Sequence, residues 1–164
     1  MSEPQSIVHP LAPLYDKNCK ILVLGSFPSV KSREQNFFYG HPQNRFWRLV
    51  AMLFGEEIPQ TIEQKRALAL KHHIAMWDVI HSCTVTGSSD SSIKDVVPND
   101  LSTVLQNSAV TKIFCNGALS YKLYEKYIFP KTGIKAVKLP STSPANAAYS
   151  LDRLAQSWIQ ITEQ

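Results

Sequence analysis

At 164 residues, 44% hydrophobic and 18% charged, the chain holds enough apolar material for one compact domain with its own core. No apolar run approaches the length of a membrane span, and Met1-Ser2-Glu3-Pro4-Gln5 lacks the basic-then-apolar layout of a signal peptide. Cys19, Cys83 and Cys115 are odd in number and widely spaced, which excludes a disulfide framework and any cluster that needs four thiolates. The chain is therefore expected to be a cytoplasmic, reduced monomer. No metal centre is expected, because His72 and His73 have no acidic or Cys partner at ligand spacing. No cofactor is expected either. The net charge of +4 suits a nucleic-acid partner without identifying one, since the lysines and arginines are scattered.

Residues 1–18 are rich in proline and read as an arm along the surface of a single domain over 19–164. The first apolar run, 20–24, reads as a buried strand that breaks into Gly25-Ser26-Phe27-Pro28-Ser29. Residues 45–54 are apolar nearly all round, the pattern of a buried helix. Residues 61–72 set Ile62, Leu68 and Leu70 among charged neighbours, as an amphipathic helix does. A second strand over 74–77 ends at Asp78 and opens into a polar loop, 82–92. The helix over 100–106 follows Pro98-Asn99-Asp100, where Asn99 or Asp100 can cap the free amides. A third strand, 111–115, ends in Asn116-Gly117 ahead of a helix over 118–127. A fourth, 134–139, runs into Pro140-Ser141-Thr142-Ser143-Pro144, and a helix over 149–161 follows. The alternation predicts an α/β fold: three layers, α/β/α, around a central, mostly parallel four-stranded sheet.

In open α/β sheets the ligand crevice lies outside the carboxyl ends of the strands. The Gly25–Ser29 turn, Asp78, Asn116-Gly117 and the Pro140–Pro144 segment are far apart in sequence but should all meet at that edge. Between the first two lies the densest stretch of the chain, Phe38-Tyr39-Gly40-His41-Pro42-Gln43-Asn44-Arg45-Phe46-Trp47. Its aromatic faces can hold a planar ring, and the Asn44 amide oxygen can orient a water beside it. A positioned water and a charge-stabilising environment carry most of the work wherever a bond breaks with little nucleophilic help. Asn44 also stands where an Asn caps the helix that starts after it, and the two roles are compatible. The Asp78 carboxylate can accept a proton from a ring nitrogen, or can simply cap or sit on the surface. Ser143 before Pro144 has the signature of an N-cap followed by a first-turn proline, a ready phosphate site.

These motifs in this order resemble the uracil-DNA glycosylase superfamily, and within it the hypoxanthine-DNA glycosylase branch, which carries a Gly-x-x-Pro turn followed by an aromatic and His-Pro-x-Asn-x-Phe-Trp. The segment Ser82-Cys83-Thr84-Val85-Thr86-Gly87-Ser88-Ser89-Asp90-Ser91-Ser92-Ile93 resembles a Ser-Cys…Gly-Ser-x-Asp-Ser-x-Ile stretch of the same branch. The resemblance implies a monofunctional DNA glycosylase acting on deoxyinosine, with Asn44 as its catalytic residue. It implies Gly25, Ser26, Phe27, Pro28, Tyr39, His41 and Asp78 around the base, with Tyr39 as the stacking platform. It also implies Ser29, Pro140, Ser141, Thr142, Ser143 and Asn146 against the DNA, in a loop that wedges into the gap left by the flipped base. Phe27 stands where uracil-excising relatives place a polar group, and Leu139 where they often place His, so uracil should be a poor substrate. Three rivals follow from the same residues: a mismatch uracil or xanthine glycosylase, a nucleotide or nucleoside hydrolase, and a non-catalytic reader of damaged DNA.

Overall fold

The computed structural model describes residues 4–86 and 93–163. Four parallel strands form the central sheet: β2 (Ile21–Gly25), β3 (Ile74–Asp78), β6 (Lys112–Asn116) and β7 (Ala136–Leu139), in the order β3-β2-β6-β7. Every residue of β2 is buried, the near-continuous apolar signature of a parallel strand covered on both faces. Its side chains divide by the strand period of two. Ile21 and Val23 join one core cluster; Leu22 and Leu24 join the other.

The first cluster is covered by α2 (Phe46–Phe54), α3 (Ile62–Lys71) and α7 (Leu151–Trp158). The second is covered by α4 (Ser102–Gln106) and α5 (Ala118–Tyr127). The expected three layers are present. Two short helices, α1 (Val30–Gln35) and α6 (Phe129–Thr132), lie outside the helices expected from periodicity, and the expected last helix ends in a 3-10 turn at Ile159–Thr162. No described helix is long and apolar enough to cross a membrane.

The structure departs from expectation at a second sheet. β1 (Gln5–Val8), β4 (Ile80–Val85) and β5 (Lys94–Pro98) pair antiparallel in the order β1-β4-β5. The expected polar loop over 82–92 is therefore strand up to Val85; residues 87–92 lie outside the described residues. Register shifts along the β4–β5 ladder break strict alternation, which is why period-two reading misses the pair. The N-terminal arm also does more than lie on the surface. After β1, Leu11 and Leu14 are buried, and Leu14 exchanges both backbone hydrogen bonds with Met76 at 2.9 Å. The arm thus covers the outer edge of β3, which would otherwise expose unpaired backbone.

Trp158 ties the first cluster to the loop beyond β7. It is fully buried, packs edge-on to Phe46 at 5.9 Å, and donates from Nε1 to the Pro140 carbonyl at 2.9 Å. Trp158→Ala should lower stability by about 3–5 kcal/mol, read as a shift of the urea midpoint with an unchanged slope. A loss under about 1 kcal/mol would show that the site collapses around the gap.

Candidate active site

Strand register brings the expected segments together. Gly25 pairs with Asp78 across β2 and β3, and Asn116 pairs with Leu139 across β6 and β7. Beyond these ends opens a cleft of about 1090 Å³, more than a nucleobase alone fills. Every residue expected around the base or against DNA lines it, as do Asn116 and Gly117, expected at this edge without a role, and Arg33, which sequence reading did not place there.

The turn after β2 is held from the β3 side: Val79 donates to the Gly25 carbonyl at 2.8 Å and Ile80 to that of Ser26 at 3.0 Å. A Cβ on Gly25 would lie 2.3 Å from Asp78 Oδ1 and 3.3 Å from the Tyr39 hydroxyl, so only glycine fits. Phe27 is half-buried, edge-on to the His9 ring at 5.7 Å, with the Arg33 guanidinium 5.6 Å from its own ring centre. Pro28 is buried, and exposed Ser29 caps α1 by accepting from Ser32 N–H at 3.1 Å.

Buried Ser32 in turn accepts the Gly40 N–H at 2.9 Å, fixing the aromatic loop. Tyr39 has φ 54, a left-handed conformation that costs a non-glycine residue about 1–3 kcal/mol. Its ring stacks on Phe46 at 4.3 Å. Its hydroxyl is buried and makes no hydrogen bond of good geometry among the described residues, although the Asn116 amide lies close to it. Burial, and then the nearby Asp78 carboxylate, push its pKa well above the ordinary phenol range, so it stays protonated. His41 is half-buried; its Nδ1 accepts the Gln43 N–H at 3.1 Å and its carbonyl the Asn44 N–H at 2.9 Å.

Asp78 is almost wholly buried, and its Oδ2 lies 2.7 Å from His9 Nε2. His9 Nδ1 accepts the Leu11 N–H at 3.1 Å, which places the ring proton on Nε2, donating to the carboxylate. His9 was not expected here. It arrives from the arm, 69 residues away in sequence, and nothing local in Val8-His9-Pro10 announces it.

Asn44 directly precedes Arg45, the N-cap residue of α2, and its amide oxygen is engaged twice. Its Oδ1 accepts the Phe46 N–H of α2 at 2.9 Å and the Thr142 hydroxyl at 2.9 Å. Thr142 accepts from Asn116 Nδ2 at 3.0 Å, and its own N–H donates to Asn116 Oδ1 at 3.0 Å. Thr142, expected against DNA, is fully buried. Pro140, Ser141, Ser143 and Asn146 remain half-buried at the rim.

The loop after β7 is not the start of a helix. Ser143 Oγ accepts only the local Ala145 N–H at 3.2 Å, and α7 begins eight residues later, at Leu151, capped by Ser150. Arg45 supplies what the helix would have: its guanidinium donates to the carbonyls of Thr142 (3.4 Å), Ser143 (2.9 Å), Asn146 (3.1 Å) and Tyr149. Asn146 adds a bond from Nδ2 to the Ser141 carbonyl at 3.0 Å. The Arg45 guanidinium thus staples the rim to the start of α2.

The chain is similar to known proteins over most of its length. The family model described as the uracil DNA glycosylase superfamily matches residues 12–161. A hypoxanthine DNA glycosylase of Methanosarcina acetivorans is 36% identical over 139 residues, 84% of this chain and 87% of its own. One of Methanosarcina barkeri is 36% identical over 151 residues, 90% of this chain and 93% of its own. A solution NMR structure of a protein from Methanosarcina acetivorans, provisionally named a uracil DNA glycosylase, superposes with TM-score 0.81 at 31% identity, covering 96% of this chain and 98% of that one.

The guanidinium staple has a measurable consequence. Arg45→Met keeps much of the stem packing and removes the bonds to the four carbonyls. Amide exchange at Ala145, Asn146 and Tyr149 should then speed up by at least about tenfold while the sheet amides keep their protection. Unchanged exchange would show that the loop holds its shape without Arg45.

Proposed function

The chain belongs to the uracil-DNA glycosylase superfamily, and we propose that it removes hypoxanthine from DNA by hydrolysing the N-glycosidic bond of deoxyinosine. The observation that carries this reading is the Asn44 amide, held at the carboxyl ends of the sheet and lining the cleft, in a chain 36% identical to two proteins named hypoxanthine DNA glycosylase. It is a DNA glycosylase of base-excision repair. We take it to work as a cytoplasmic monomer.

In the reaction the bond from C1′ to the purine nitrogen breaks and its electron pair leaves with the base. A water oxygen bonds C1′, and the water's proton ends on the purine, leaving a neutral base and an abasic sugar. Flipping the nucleotide costs a few kcal/mol and is cheapest for a mispaired base, as deoxyinosine is. Tyr39, backed by Phe46, is the platform for the extruded ring, where stacking is worth roughly 1–3 kcal/mol per base. Gly25, Ser26, Phe27, Pro28 and His41 complete the wall. Ser29, Pro140, Ser141, Ser143 and Asn146 face the DNA from the rim.

Asp78 reads the purine edge. Hypoxanthine carries a proton on N1 that a carboxylate can accept, whereas adenine turns a lone pair to the same place. Sites built around one substrate N–H or O–H reject the analogue lacking it by about 10⁴–10⁵. Uracil also has a ring N–H, but its departing anion needs donors. Phe27 and buried Leu139 supply none from their side chains.

Labelled duplexes with a single hypoxanthine, xanthine, uracil or ethenoadenine, followed by cleavage at abasic sites, test the reading. Hypoxanthine should be released at least about a hundredfold faster than uracil, a difference near 2.7 kcal/mol in the barrier. Equal rates would move the protein to the mismatch-specific uracil enzymes. Release from none of the four duplexes would leave a DNA-binding module.

A further inference from the structure

We propose that Asn44 acts through its amide nitrogen, as a hydrogen-bond donor to the departing base, and that Thr142 is the positioning residue that fixes this orientation. The inference rests on the glycosylase reading above.

Two backbone N–H groups, whose polarity cannot reverse, anchor the two ends of a side-chain relay. At one end the Thr142 N–H donates to Asn116 Oδ1 at 3.0 Å. The Asn116 amide must therefore turn its Nδ2 toward Thr142 Oγ1, which accepts it at 3.0 Å. The Thr142 hydroxyl proton is then directed at Asn44 Oδ1, 2.9 Å away. At the other end the Phe46 N–H donates to that same oxygen at 2.9 Å. Both lone pairs of an amide oxygen are thereby engaged. Flipping the amide would set Nδ2 against the Phe46 N–H, donor to donor, and leave the hydroxyl proton of buried Thr142 without its acceptor.

The oxygen that sequence reading gave to a water is thus occupied. What remains is Nδ2, which makes no protein hydrogen bond among the described residues, on a side chain that lines the cleft. As the glycosidic bond breaks, negative charge grows on the ring nitrogens and carbonyl oxygen of the purine. A fixed neutral donor is suited to that charge, since its orientation is set before the reaction. The water must then take its direction from another acceptor.

Three variants decide the matter in single-turnover assays on a deoxyinosine duplex, with duplex affinity measured in parallel. Asn44→Asp keeps an oxygen for Phe46 and Thr142 but replaces the donor by a second acceptor. It should lose at least about a hundredfold in rate at neutral pH, with affinity within about threefold. Under a water-orienting oxygen the same variant would hold its rate or gain. Thr142→Val removes the hydroxyl at nearly constant volume and should slow the chemical step by about tenfold or more. Thr142→Ser, which restores the hydroxyl, should return to near the wild-type rate. Wild-type rates in Asn44→Asp overturn the donor role. Wild-type rates in Thr142→Val, or equal losses in the Val and Ser variants, overturn the positioning role. Should Asn44→Asp fail to fold, the Val and Ser pair decides alone. A wild-type protein that releases no hypoxanthine fails the glycosylase reading instead, and is seen first.

Discussion

Thr142 is the point through which the site is assembled. It is fully buried, yet its three polar atoms reach three residues, at the end of β6 and the start of α2. The hydroxyl joins Asn116 at the end of β6 to Asn44 ahead of α2, the N–H returns to Asn116, and the carbonyl receives Arg45 from both backbone and side chain. A buried polar group left unpaired costs about 1–3 kcal/mol, so these bonds are strongly coupled to the packing around them. The loop after β7, the aromatic loop and the sheet are held in one arrangement because that residue is satisfied in no obvious other.

The opposite wall of the cleft follows a different logic. There the arm, not the sheet, supplies the constraint: His9 donates to Asp78, whose Oδ1 fills the space a side chain on residue 25 would need. Tyr39 holds a left-handed backbone beside them, and its buried hydroxyl makes no hydrogen bond of good geometry among the described residues. Such features cost stability and persist where the surroundings over-determine them. Their concentration on one wall fits a surface shaped for a flat ligand rather than for the protein's own packing. The rim, by contrast, is well satisfied, with its carbonyls collected by Arg45.

Much of this was legible in the sequence where the signal is local. The apolar run before Gly25, the buried pattern around Phe46 and Trp47, and the strand-end positions of Asp78 and Pro140 give the central sheet and the place of the cleft. What escaped depends on long-range register. Asn44 and Thr142 are 98 residues apart, and His9 and Asp78 69 apart; no spacing rule links such pairs. Asn116 was visible as a strand end, but not as the partner of Thr142. The β1-β4-β5 sheet was hidden by short strands and shifted register. Ser143-Pro144 misled for the reverse reason: a sound local helix signal was overridden by Arg45, which captures the carbonyls a helix would have used.

The central claim is that the amide at Asn44 carries the bond-breaking step rather than DNA recognition. The most direct measurement is single-turnover release of hypoxanthine by Asn44→Ala from a duplex with one deoxyinosine, beside the affinity of that variant for the same duplex. A rate lowered by at least about a hundredfold, with affinity within a few-fold, is the predicted result. A folded variant that keeps more than about a tenth of the wild-type rate would contradict it, because loss of a transition-state donor costs about 10²–10³.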